Sequence, residues 1–112
     1  MRVTEGGPLL REALPAFADE LRGLLDAQAP GLAPQVEALR VVARCACTDD
    51  FCGMFYTAPP PEGSYGSGLE NVVLEPKRGM IILDVVDGQI AAVEVLFRDD
   101  VRAALDAAGI PR

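Results

Sequence analysis

At 112 residues, half of them hydrophobic, the chain has room for one core and not for two. Seventeen acidic against ten basic residues leave a formal charge of −7 with no basic cluster, which argues against nucleic acid and anionic membrane as partners, since both are bound through cationic side chains. The absence of histidine excludes every Ser–His, Cys–His and His–metal arrangement within the chain.

The amino terminus, Met1-Arg2-Val3-Thr4-Glu5-Gly6-Gly7-Pro8, has no hydrophobic signal core, and no later run approaches the ~20 apolar residues of a membrane span. A cytoplasmic location is the expectation, and thiols there stay reduced. Leu10, Leu14, Phe17, Leu21 and Leu24 then step by fours and threes, so they share one helical stripe. Pro15 would break a helix interior but suits its first residue, so the spacing predicts a separate turn over 8–13 and a main helix from Pro15. Ala29-Pro30-Gly31 stops that helix, and a short helical turn from Pro34 brings Val36 near Leu39. The helical segment is thus expected over about 9–38.

From Leu39 the period changes to two. Leu39, Val41, Ala43, Cys45 and Cys47 alternate with Arg40, Val42, Arg44 and Ala46, as a half-buried strand requires. A turn at Thr48-Asp49-Asp50-Phe51 and a returning strand from Cys52 to Thr57 place Cys47 opposite Cys52 and Cys45 opposite Met54. Residues 58–68, rich in proline and glycine, form the one long internal loop. Leu69 to Glu75 is a further strand, ended by Pro76-Lys77-Arg78-Gly79.

Met80 to Val86 and Gln89 to Phe97 flank Asp87-Gly88, a two-residue hairpin signal. Pairing Val86 with Gln89 sets Leu83 against Ala92 and Ile82 against Val93, and sends Asp84 and Glu94 to opposite faces. Both faces of this hairpin are mainly apolar. A helix over about 99–108 closes the chain, with Asp99 as N-cap, Val101, Ala104 and Leu105 buried, and Gly109 before Ile110-Pro111 as its end. The expected fold is one α+β domain, an antiparallel sheet of about five strands over 39–97 between helical ends.

Cys45, Cys47 and Cys52 are the one constellation with chemical content. Directly opposed strand residues have Cβ atoms ~4.5–5.5 Å apart, so three thiols can gather on one face. Four readings are open: thiols packed in the core, a zinc site, a Cys47–Cys52 disulfide, and a reactive cysteine. Tetrahedral zinc needs a fourth ligand, for which Asp49, Asp50 or a second chain is available. A reactive thiol needs a cation, and alternation turns the nearest, Arg44, to the other face. No cofactor is otherwise expected.

Tyr65, among Gly63, Ser64, Gly66, Ser67 and Gly68, is an aromatic contact on a mobile arm or a residue of a plain connector. Asp84 interrupts an apolar strand and needs a hydrogen-bonding or cationic partner there. Phe17, Phe51, Phe55 and Phe97 read as core. The leading functional expectation is a non-enzymatic module that associates with itself or another protein through an uncovered apolar sheet face. The alternative is a metal- or small-ligand-binding protein built on the three cysteines, with 58–68 as a lid. No nucleophile–base pair supports an enzyme.

Overall fold

The computed structural model describes residues 6–110. The readings of Met1–Glu5 and of Pro111 lie outside the described residues. Pro8 to Leu10 runs beside Leu39 to Val41, with the Leu10 N–H donating to Leu39 O at 2.7 Å and the Val41 N–H to Pro8 O at 2.8 Å. Gly7 permits that approach: its φ is 71°, and a Cβ there would collide with the Val41 carbonyl.

A four-residue helix α1 (Leu10–Ala13) is followed by α2 (Pro15–Gln28), which begins at the proline. A 3-10 helix (Pro30–Ala38) comes next, longer and earlier than the turn expected from Pro34. Phe17, Leu21 and Leu25 bury one stripe of α2; Leu24, expected in that stripe, is only partly buried.

The sheet consists of β1 (Ala43–Arg44), β2 (Phe55–Tyr56), β3 (Leu69–Leu74), β4 (Met80–Val86) and β5 (Gln89–Leu96), in the order β1-β2-β5-β4-β3 and antiparallel throughout. The first hairpin joins through β2 to β5, while β3 pairs with β4 and forms one edge. Its ladder is much shorter than alternation over 39–57 suggested. Over 39–41 the chain pairs with the amino-terminal segment instead, through the bonds of Leu39 and Val41 to Leu10 and Pro8.

Asp87 and Gly88 carry φ of 50° and 82°, as a turn between twisted strands demands. Val86 pairs with Gln89 and Val85 with Ile90, as expected from the turn. The register then slips: Asp84 pairs with Ala92, Leu83 with Val93 and Ile82 with Glu94. Ala91 is therefore a bulge, an extra residue in β5. The expected Leu83–Ala92 and Ile82–Val93 pairs are corrected by one position.

One face of the sheet carries Phe55, Leu74, Ile81, Leu83, Val85, Val93 and Val95, and the helices close over it to form the core. Phe17 meets Phe55 edge-on, with centroids 6.0 Å apart. From α3 (Asp99–Ala107), Val101 and Leu105 join the same core. Asp99 is the first helical residue rather than the cap, and the Ile110 N–H reaches back to Leu105 O past Gly109, whose φ is 71°. Phe51 and Phe97 are not core: they are 39% and 61% exposed and stack on each other at 5.2 Å.

The buried Arg98 ties the helical layer together. Its guanidinium donates to both Glu20 carboxylate oxygens on α2 at 2.9 and 2.7 Å, and to both Asp100 oxygens on α3 at 2.9 Å. Arg44 lies on the helix side of the sheet, opposite to Cys45, and its side chain pairs with Asp106. Leu39 and Val41, expected on the face of the cysteines, are in the helix-side core instead, so strict alternation fails between Val41 and Arg44.

Candidate functional site

The second face of the sheet, away from the helices, is where chemistry gathers. Ala43 pairs with Tyr56 and Arg44 with Phe55, and the Cys45 N–H donates to Met54 O at 2.9 Å. Continuing this register puts Cys47 across from Cys52. The connection closes with the Cys52 N–H on Asp49 O at 3.3 Å, so the tight turn spans Asp49 to Cys52. Cys52 also bridges to Leu96 of β5, which anchors the hairpin to the sheet.

The three Sγ atoms all lie within 4.8 Å of one another. None of the three is joined in a disulfide. Asp49 and Asp50, candidates with a second chain for a fourth zinc ligand, are not in this group: they are exposed residues of the turn, and the cluster among the described residues is sulfur alone. Cys45 and Cys47 are half-buried, whereas Cys52 is 9% exposed.

Environment separates two of the thiols. Cys47 is held below its ordinary value, first by the Asp49 backbone N–H and then by hydrogen bonds with Cys45 and Cys52. Burial pushes Cys52 up to about 11, and Cys47 and Cys45 add to that rise. At neutral pH Cys47 is thus the readier thiolate of this pair.

Beside the trio runs a row of polar groups. Asn71 on β3 donates to Asp84 Oδ1 at 2.7 Å, which is the hydrogen-bonding partner this 6%-exposed carboxylate needs. Asp84 and Glu94 were expected on opposite faces; the bulge at Ala91 brings them to the same one. Glu94 is pushed up to about 7, chiefly by burial and then by the hydrogen bond and charge of Asp84. Below that pH Glu94 is held protonated beside the Asp84 carboxylate.

Tyr56 and Tyr65 complete this face. Burial, then the charges of Cys45, Asp84, Cys52 and Glu94, pushes the Tyr56 phenol up. Tyr65 is likewise raised by burial and by Asp84, Tyr56 and Glu94. Tyr65 is not held out on an arm: its hydroxyl is buried without a hydrogen-bond partner, on the side where the carboxylates lie. Tyr65 thus turns inward, while most of the loop 58–68 around it is exposed.

Met54, Tyr56, Asn71 and Glu94 had no assigned role in the sequence. Extending the parity of Cys52 by twos to Met54 and Tyr56 would have found the first two. Glu94 required the bulge. No family model, characterised protein or solved structure matches the chain.

Proposed function

We propose that the protein binds a soft metal ion through Cys45, Cys47 and Cys52, as a binding protein rather than an enzyme. The observation that carries this reading is the mutual approach of three sulfur atoms, none in a disulfide, to within 4.8 Å on one face of a short hairpin. Thiolate is the donor that soft and borderline ions select. The lowered Cys47 gives an arriving ion a first ligand, and the second and third follow with loss of their protons. Native mass spectrometry of protein purified without chelator tests this. One ion per chain is expected, and Cys47→Ser should abolish it; protein that takes up no ion from any thiophilic metal salt would end the proposal.

A second reading, self-association, draws on a separate observation. Strand β3 is a sheet edge, and Leu69, Val73 and Met80 on or beside it are 38%, 64% and 43% exposed. An edge of this kind is a template for pairing with another strand. Its earlier ground, apolar character on both faces of the 80–97 hairpin, is weaker: the helices cover one face, and Asp84, Glu94 and Tyr56 interrupt the other. Sedimentation at micromolar concentration tests it. A dimer that Val73→Lys dissociates is expected, and a monomer at every concentration would refute it.

A further inference from the structure

We propose that the ion held by the trio is copper(I), with the Met54 thioether as an additional donor. This rests on the reading of the trio as a metal site and narrows it to one ion class.

The first ground is the donor set. The chain has three cysteines and no histidine, and the cluster among the described residues contains neither carboxylate nor nitrogen. Structural zinc takes four ligands in a tetrahedron, and the common iron–sulfur clusters take four cysteines; one chain supplies neither. Hard cations want oxygen. Copper(I) is the soft ion that thiolates and thioethers select, and it is satisfied by low coordination numbers.

The second ground is distance. An ion at the centre of three sulfurs with metal–sulfur bonds of about 2.3 Å needs them about 4 Å apart. The Sγ atoms, all within 4.8 Å of one another, are already near that spacing.

The third ground is the neighbour. Met54 is the hydrogen-bonded partner of Cys45, and it sits two residues from Cys52 in the same extended segment. Phe55 pairs with Val93 and Cys52 with Leu96, so Met54 falls across from Glu94 in the β2–β5 register. Parity therefore sets Met54 on the face that carries the three cysteines. A thioether keeps its donor strength at any pH and excludes hard ions from the same position.

The test is an anaerobic titration of the reduced full chain with copper(I) against a chromophoric copper(I) chelator, with parallel titrations by zinc(II) and cadmium(II). Copper(I) is expected to bind one per chain and to displace the divalent ions. X-ray absorption should show a first shell of sulfur only. Met54→Leu should weaken copper(I) about tenfold, leave zinc(II) unchanged and leave the circular dichroism spectrum unchanged. If zinc(II) or cadmium(II) wins the competition, or nitrogen or oxygen enters the shell, the copper assignment falls and the metal site survives. If Met54→Leu binds copper(I) as tightly as the parent, the role of Met54 falls. If none of the three ions binds in a Cys47-dependent way, the metal site falls with it.

Discussion

Asp84 and Glu94 face the same side of the sheet because Ala91 stands unpaired in β5 between the turn and the ladder. Val85 still pairs with Ile90, yet Asp84 already pairs with Ala92, so every later residue of β5 is turned over relative to a regular hairpin. Val93 and Val95 enter the core by this means, and Glu94 comes to lie with Asp84.

The first prediction concerns that pair. Glu94 rises from 4.5 to about 7 on folding, so the folded state binds its proton more tightly than the unfolded chain does. The stabilisation is fully present below the unfolded value of 4.5 and is lost as pH rises through about 7. Thermal melts should therefore show falling Tm across that window for the parent protein. Glu94→Gln, which keeps a donor toward Asp84 at every pH, should flatten the profile and raise Tm in mildly alkaline buffer. A parent profile that rises over the same window contradicts the raised Glu94.

The second concerns the bulge itself. Deleting Ala91 forces a choice between the turn register and the core register. Either Val93 and Val95 turn away from the helices, or Asp87-Gly88 loses its pairing. Loss of cooperative unfolding is expected, read by urea titration. A deletion variant as stable as the parent would show that Ala91 is not the hinge of the register.

Thiol reactivity is the third. With the Asp49 N–H lowering Cys47 and burial raising Cys52 to about 11, alkylation near neutral pH should reach Cys47 well before Cys52. Peptide mass spectrometry after short iodoacetamide exposure reads the order. Equal rates would mean that the two environments are equivalent.

Arg98 supplies the fourth. Its guanidinium is 3% exposed, while Glu20 and Asp100 are 31% and 47% exposed and regain water when it is removed. The loss in Arg98→Ala is therefore less than the sum of its bonds, about 2–3 kcal/mol. Asp100, held below 3.8 first by its hydrogen bond from Arg98, adds stability that is present above that value and lost as pH falls through the lowered one. Arg98→Lys should recover less than half of the loss, because an ammonium cannot fork between two carboxylates. Urea midpoints at neutral and acid pH check both statements.

Much of this fold is written in local signals. Pro15 marks the start of α2, Asp87-Gly88 sets the last turn, and period-two spacing brings Cys45, Cys47 and Cys52 to one side. The bulge is silent because Ile90-Ala91-Ala92-Val93 is apolar at every position, so no polar residue marks where alternation slips. The period-two pattern starts at Leu39, but Leu39 and Val41 pair with Leu10 and Pro8, a partner segment distant in sequence that alternation alone does not name. Phe51 and Phe97 mislead for a different reason: their apolar surface is satisfied by each other at the rim.

The sulfur trio is assembled within the single stretch 45–52, closed by one turn from Asp49 to Cys52. Rings that short cost little chain entropy to close. The spacing of the sulfurs is therefore set by eight consecutive residues, and the bridge from Cys52 to Leu96 only fastens that unit to the rest of the sheet.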